Sequence, residues 1–295
     1  DLAQLVAEGD RLAFSTDSYV IDPLFFPGGN IGKLAICGTA NDVAVSGAIP
    51  RYLSCGFILE EGLPMETLKA VVTSMAETAR AAGIAIVTGD TKVVQRGAAD
   101  KLFINTAGMG AIPANIHWGA QTLTAGDVLL VSGTLGDHGA TILNLREQLG
   151  LDGELVSDCA VLTPLIQTLR DIPCVKALRD ATRGGVNAVV HEFAAACGCG
   201  IEISEAALPV KPAVRGVCEL LGLDALNFAN EGKLVIAVER NAAEQVLAAL
   251  HSHPLGKDAA LIGEVVERKG VRLAGLYGVK RTLDLPHAEP LPRIC

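Results

Sequence analysis

The chain has 295 residues, half of them hydrophobic, with a formal net charge of −9. That length exceeds ordinary single-domain size, so two domains are expected. The acidic balance, the lack of any basic block and an aromatic content of 4% argue against nonspecific nucleic-acid binding. Gly, Asp, Asn or Arg interrupts every apolar run well short of ~20 residues, so no membrane span is expected. There is no signal-peptide pattern at the start. Asp1 to Arg11 reads as the end of an earlier element, and an upstream segment is expected to precede it.

In chain order, the periodicity predicts a strand over Leu12–Ile21 and a small-residue helix over Ile31–Gly47. A strand over Tyr52–Leu59, a helix over Pro64–Ala82, and strands over Ile84–Thr88 and Leu102–Ile112 follow. The turn-rich stretch 113–126 reads as a domain junction. Beyond it, strands are expected at Asp127–Val131, Ile201–Ile203, Lys233–Val238, Ala260–Val265 and Val271–Ala274. Helices are expected at His138–Leu149, Ala160–Leu169, Gly185–Ala196, Lys211–Leu221 and Ala242–His251. Both halves mix helices with short strands without regular β-α-β alternation, so the expected class is α+β in two domains, 1–118 and 119–282, with a tail over 283–295.

Eight cysteines are scattered through mostly apolar surroundings. Cys197-Gly198-Cys199 is too tight and isolated for a structural zinc site, and buried free thiols in a reducing cytoplasm are the expected state of seven of the eight. The eighth, Cys295, ends the chain in Pro290-Leu291-Pro292-Arg293-Ile294-Cys295. The prolines favour an extended arm, which suggests a thiol carried into an active site and presented elsewhere. A disordered end that happens to finish in Cys is the alternative reading.

Four segments read as loops that place an Asp beside turn or helix-start residues: Ser15-Thr16-Asp17, Thr39-Ala40-Asn41-Asp42, Thr88-Gly89-Asp90-Thr91-Lys92, and Arg179-Asp180 through Arg183-Gly184-Gly185. Converging carboxylates are what Mg²⁺ requires, with phosphate oxygens completing the octahedron. Gly184 and Gly185 suit backbone approach to phosphate at a helix start, and Lys92 suits the charge of a transferring phosphoryl group. Taken singly, Asp17, Asp42 and Asp180 read equally as turn or capping residues. No GxxxxGK[ST] or GxGxxG loop is present, which excludes the familiar nucleotide folds. Gly136-Asp137-His138-Gly139 sets a His at a helix start, with a capping Asp as the plain alternative. Asn230-Glu231-Gly232 offers a general-base candidate in Glu231, or a turn carboxylate without such a role.

Together, Ser15 to Val20, Asn41-Asp42-Val43-Ala44, Gly89 to Val93, Gly136 to Gly139, Asp180 to Val186, Asn230 to Gly232 and the terminal Pro-Arg-Ile-Cys resemble the HypE family. These are [NiFe]-hydrogenase maturation carbamoyl dehydratases, in the ATP-binding superfamily of aminoimidazole ribonucleotide synthetase, selenophosphate synthetase and thiamine-monophosphate kinase. The match runs the whole length in order, and the terminal Pro-Arg-Ile-Cys is its most specific part. The resemblance implies a PurM-like fold, a homodimer, and ATP-dependent dehydration of an S-carbamoyl group on Cys295 to a thiocyanate. It implies Asp17, Asp42 and Asp180 as Mg²⁺ ligands. Asn41, Asp90, Thr91, Asp137, Arg183, Gly184 and Gly185 would line the ATP site. Lys92 would stabilise the phosphoryl oxygens, and Glu231, with His138 second, would be the base. HypF and the HypC–HypD complex are the implied partners. The glycine-rich segment and acidic pair with which the superfamily usually begins do not precede Asp1. Within the superfamily another kinase or a selenophosphate synthetase is the alternative, and a non-catalytic docking scaffold is the alternative outside it.

Overall fold

A computed structural model describes residues 5, 11–151, 153–286 and 293–295. The reading of residues 1–11 as the end of an earlier element, and of the prolines at 290 and 292 as an extended arm, lies largely outside the described residues.

The first half builds β1 (Leu12–Tyr19), a short ribbon of β2 (Phe25–Phe26) and β3 (Gly29–Asn30), α1 (Ile31–Ala44), β4 (Ile49–Glu60), α2 (Met65–Ala81), β5 (Ala85–Val94) and β6 (Leu102–Ala111). The long strands form one sheet in the order β1-β6-β4-β5. α1 lies between this sheet and α2 and is buried nearly all round, which its small residues permit. A Cβ on Gly32 would lie 2.4 Å from the Val71 carbonyl oxygen of α2, and one on Gly38 would lie 2.4 Å from the Tyr19 hydroxyl of β1. The Asn30 side chain caps the helix by accepting from the amides of Gly32 and Lys33, at 2.9 and 3.1 Å.

α1 covers only one face of the sheet. The register Phe14↔Met109, Met109↔Tyr52 and Ile58↔Phe103 sets these residues on the other face, which no element among the described residues covers. Leu12, Phe14 and Ile58 are 49, 70 and 44% exposed there. The pairs Gly56↔Asp90 and Ile58↔Lys92 put Asp90 and Lys92 on this open face too.

The second half builds β7 (Val128–Val131), α3 (Asp137–Glu147), α4 (Thr163–Gln167), β8 (Val175–Asp180), α5 (Gly185–Cys197), β9 (Gly200–Ser204), α6 (Pro212–Leu221), β10 (Leu234–Val238), α7 (Ala243–His251), β11 (Ala260–Val266), β12 (Gly270–Ala274) and β13 (Lys280–Thr282). Its sheet runs β13-β12-β9-β11-β7-β10-β8, antiparallel except between β12 and β9. The fully buried Val-Leu-Leu-Val of β7 and Leu-Val-Ile-Ala-Val of β10 are neighbouring interior strands next to the β8 edge, covered on both faces.

The expected α+β class is the observed one, with three corrections. Strand β8 was not foreseen, because Lys176 and Arg179 break its apolar run and it pairs only with β10 at the sheet edge. The four segments read as loops lie wholly or partly inside regular elements: Asp17 in β1 and Asn41-Asp42 in α1, as the expected strand and helix there imply, Thr88 through Lys92 in β5, whose glycine imitates a turn, and Arg179-Asp180 at the end of β8. All eight cysteines are free, but Cys174, Cys197, Cys199 and Cys218 are only half-buried, whereas Cys295 is buried.

Candidate active site

The C-terminus packs into the joint between the two sheets. Ile294 is 2% exposed and belongs to the same apolar cluster as Tyr19, Phe26, Ala140 and Ile142. Polar contacts fix its backbone on both sides. The Val20 amide donates to the Cys295 backbone oxygen at 2.9 Å, and Arg293 Nε donates to the Val20 carbonyl at 2.9 Å. Arg293 also pairs with Asp100 at 2.8 Å, and Arg146 donates to the Arg293 carbonyl. Arg293 itself adopts φ +54°, a left-handed turn that brings the last two residues inward.

His138, fully buried at the start of α3, completes this clamp. Its Nε2 lies 2.8 Å from the Ile294 carbonyl and its Nδ1 2.7 Å from Ser157 Oγ. The ring meets Phe26 edge to face at 5.3 Å between centroids. Burial lowers its pKa, which keeps the imidazole neutral. His138 thus holds the tail's backbone, and it is not among the residues that line the cavity at the tail's tip.

That cavity, roughly 290 Å³, is lined by Thr16, Asp17, Gly38, Asp42, Arg179, Asp180, Thr182, Arg183, Glu192, Glu231 and Cys295. Five separate elements deliver its carboxylates, one of them α5 with Glu192, which pairs with Arg179 at 3.4 Å. Asp17 comes from the α1-facing side of β1, Asp42 from the last turn of α1, Asp180 from the end of β8 and Glu231 from the loop before β10. Ser15 Oγ donates to Asp42 at 2.7 Å, and the Ser18 amide donates to Asp17 at 2.8 Å.

The remaining acids have fewer partners. Both carboxylate oxygens of Asp180, and Oε1 of Glu231, are buried with no hydrogen-bond partner. Burial, then the charge of Asp42, pushes Asp180 up to about 7. Burial is also the main reason that Glu231 is raised well above the usual carboxylate range, with Cys159, Asp158, Asp180 and Asp17 adding to it. Asp17 is raised by burial and, after the opposing Ser18 amide, by Asp42. The Cys295 thiol is pushed up to about 12, by burial first and then by Glu231 and Asp17, while Arg183 works the other way through charge and a hydrogen bond. Unpartnered buried oxygens are costly, and such a pocket favours a cation or a proton-bearing ligand. No group of three or more His, Cys, Asp or Glu side chains among the described residues could hold a metal by itself. Asp17, Asp42 and Asp180 offer hard oxygens that suit Mg²⁺ once phosphate or water oxygens complete its shell.

Other anticipated residues lie elsewhere. Asn41 is buried behind the cavity, donating to the Ala160 carbonyl at 3.0 Å and accepting from the Leu162 amide at 2.8 Å, so it ties α1 to the second half. Asp137 accepts from Thr134 at 2.6 Å and from Lys211 at 2.9 Å. Gly184 and Gly185 both take positive φ, and a Cβ on Gly185 would lie 2.4 Å from the Leu226 carbonyl oxygen. That close approach accounts for the second glycine by packing. Asp90 and Lys92 form an exposed 2.8 Å ion pair on the edge strand farthest from β1 and on the opposite face from Asp17, and Thr91 donates its amide to Asp90 at 2.8 Å. A single chain therefore does not bring Asp90 and Lys92 to the cavity. Sequence reasoning missed Ser157, whose hydroxyl sets the His138 ring, and Asp158, which accepts from the Glu231 and Gly232 amides. Neither sits in a motif that sets it apart from an ordinary turn.

The family models agree with this architecture. Residues 1–112 match the N-terminal domain of the AIR synthase related proteins and 124–275 the C-terminal domain. The carbamoyl dehydratase HypE of Escherichia coli K12 is 99% identical over the whole chain, which spans 88% of that protein. The chain belongs to the HypE family. The Rhodobacter capsulatus HypE is 50% identical over 99% of the chain and 87% of that protein. Among solved structures, a crystal structure of E. coli HypE matches with TM-score 0.97 and 98% identity, over 100% of this chain and 92% of the other. A HypE solved in complex with ATP matches with TM-score 0.96 and 47% identity, over 100% and 90%. A thiamine monophosphate kinase from Aquifex aeolicus, 20% identical with TM-score 0.69 over 92% of this chain and 89% of that one, shares the fold. No helix among the described residues is long and apolar enough to cross a membrane.

Proposed function

We propose that the chain dehydrates an S-carbamoyl group on its own C-terminal cysteine at the expense of ATP, leaving a thiocyanate on Cys295. The observation that carries this reading is the thiol seated by an ordered clamp at the tip of an acidic, polar cavity. HypE relatives carry the name carbamoyl dehydratase, and one was solved with ATP.

The carbonyl oxygen of S–C(=O)–NH₂ is a poor leaving group. Transfer of the γ-phosphoryl group of ATP to that oxygen makes it one. Loss of two protons from nitrogen and departure of phosphate then give S–C≡N, ADP and phosphate. Glu231 is our base: a carboxylate of raised proton affinity, with an oxygen free to accept, takes protons from a weakly acidic amide better than an ordinary one. His138, the second base candidate, lies outside the cavity lining with both ring nitrogens engaged, and in this reading it holds the tail instead of taking a proton. Arg183, in the cavity beside Cys295, steadies negative charge on the oxygen that leaves as phosphate. Asp17, Asp42 and Asp180 would hold Mg²⁺, which supplies charge neutralisation to the phosphates when bound. Asn41, Asp137, Gly184 and Gly185 stand outside the cavity lining and, in this reading, act behind the nucleotide site, Asn41 by tying α1 to the second half and Gly185 by its close packing.

Lys92, Asp90 and Thr91 act, in this reading, from a second copy. A homodimer that packs the open faces of the four-stranded sheets buries Phe14 and Ile58 and removes Asp90 and Lys92 from bulk solvent. In this reading Lys92, on the edge strand β5 of the second copy, reaches the transferring phosphoryl group from the rim of that interface, past the β1 edge that carries Asp17.

The seated thiol is buried and unreactive, so loading by the carbamoyltransferase HypF takes place with the tail withdrawn. A related HypE was solved as a complex with HypF, with TM-score 0.91 and 48% identity over 93% of this chain and 90% of that one. The same withdrawal would deliver cyanide to a HypC–HypD scaffold in the cytoplasm. The test is phosphate release by chain pre-loaded on Cys295. ATP turnover that follows the amount of carbamoyl group, and is absent in Cys295→Ser, is expected. Turnover indifferent to Cys295 would shift the reading to a superfamily kinase, and no ATP turnover at all would shift it to a docking scaffold.

A further inference from the structure

Two neighbouring residues outside the cavity touch both halves of the reaction, the tail clamp and the loop carrying the base. Ser157 Oγ accepts from the Cys159 amide at 3.2 Å and lies 2.7 Å from His138 Nδ1. A carbonyl oxygen only accepts, so His138 must donate from Nε2 to Ile294; its Nδ1 is then an acceptor, and the Ser157 hydroxyl is its donor. Asp158 receives the Glu231 amide on one oxygen at 3.1 Å and the Gly232 amide on the other at 3.2 Å. The Ala160 amide donates back to the Glu231 carbonyl at 3.2 Å. A Cβ on Gly232 would lie 2.0 Å from the Asp158 carbonyl oxygen, so the two backbones are pressed together. The turn is anchored on its far side as well, since the Ser157 amide donates to the Pro27 carbonyl at 2.9 Å.

Asp158 is buried and pairs with Lys233 at 3.3 Å. Burial opposes its charge, yet Lys233 and the Glu231 amide hold its carboxyl below the usual range. A buried ion pair returns little net stability for its desolvation, so stability alone is a poor account of this one. The two amide bonds instead fix where the Glu231 loop lies.

We propose that Ser157 and Asp158 are positioning residues: one rigid turn in which Ser157, through His138, sets the register of the tail, and Asp158, through two backbone amides, sets the register of the Glu231 loop. The proposal rests on the dehydratase reading. It makes the spacing between the sulfur-borne group and its base a property of two adjacent residues that touch neither the sulfur nor the Glu231 carboxylate, and misplacement on the order of 1 Å is worth about 10²-fold in rate.

The experiment uses the full chain. Cys295 is loaded by the carbamoyltransferase, and single-turnover water loss is followed by mass at varied ATP and pH. Asp158→Asn is expected to slow water loss about tenfold or more, with the ATP dependence within about twofold of the parent's. Its pH profile should move to lower pH, because a negative charge beside Glu231 has gone. On unloaded chain, Ser157→Ala is expected to raise the rate of Cys295 alkylation by iodoacetamide about threefold or more. A rate loss in Asp158→Asn that only tracks its folded fraction, with the parent's pH profile, would overturn the proposal, as would parental alkylation in Ser157→Ala. Should Asp158→Asn not fold, the alkylation arm decides. Absence of water loss in the parent would instead sink the dehydratase reading, and alkylation would still report on the tail.

Discussion

His138 Nε2 lies 2.8 Å from the carbonyl oxygen of Ile294, joining the start of α3 to a residue 156 positions later in the chain. A neutral imidazole reads the backbone of a tail whose last side chain must reach an acidic cavity. His138→Ala removes this bond and leaves a void beside Phe26. A buried hydrogen bond nets about 0.5–1.5 kcal/mol, which corresponds to roughly a two- to tenfold loss of seated tail. Alkylation of Cys295 should speed up accordingly, and parental kinetics would refute the clamp.

Asp180 gives the ligand-free chain a pH dependence. Its folded pKa of about 7 lies above the unfolded carboxylate value of about 3.9, so the native state holds an extra proton between those values. The associated stability is fully present below about pH 4 and is lost as pH rises through 7. Asp180→Asn should flatten that limb and exceed the parent at pH 8 by on the order of 2 kcal/mol in urea unfolding. Parallel stability profiles of the two proteins would contradict the assignment.

Gly185 separates packing from ligand binding. Its φ of +62° and the Leu226 and Phe228 carbonyl oxygens, 2.4 and 2.5 Å from a built Cβ, leave no room for alanine. Gly185→Ala should cost about 1–3 kcal/mol of stability in the absence of any nucleotide. A parental melting curve would mean that the loop at 226–228 yields easily.

Much of this was readable in the sequence, for identifiable reasons. The long strands and helices repeat their apolar residues at regular spacing, so α1, α2, α6 and α7 were foreseen closely. Among the carboxylates of the cavity, Asp17, Asp42 and Glu231 stand out because each sits beside Gly, Thr or Asn, and Asp180 because Thr182 and Gly184-Gly185 follow it; Glu192, inside α5, carries no such signal. What failed was their setting: Asp17 and Asp90 look alike in sequence, yet the sheet places them on opposite faces and opposite edges. Pairing order is a non-local property that no window of residues contains. Ser157 and Asp158 escaped for a related reason, since their work depends on chain segments that only the fold brings near.

Lys92 tests that arrangement. Its ion pair with Asp90 is solvent-exposed and should matter little to stability, so Lys92→Ala is expected to melt like the parent. If Lys92 acts from a second copy, Lys92→Ala and Asp42→Asn chains, each inactive alone, should regain activity when mixed as heterodimers. About a quarter to a half of parental turnover is the expected recovery from simple site statistics. No recovery in verified heterodimers would return both residues to the same site or remove Lys92 from it.

The most direct test of the account is intact mass and peptide mapping of Cys295. Full-length chain is incubated with the carbamoyltransferase, carbamoyl phosphate and ATP·Mg. A carbamoyl adduct on Cys295 that loses one water only when ATP is hydrolysed, and keeps it in Glu231→Gln, is the predicted result. An adduct that never loses water, or a Cys295 left unmodified by a transferase of proven activity, would contradict the account.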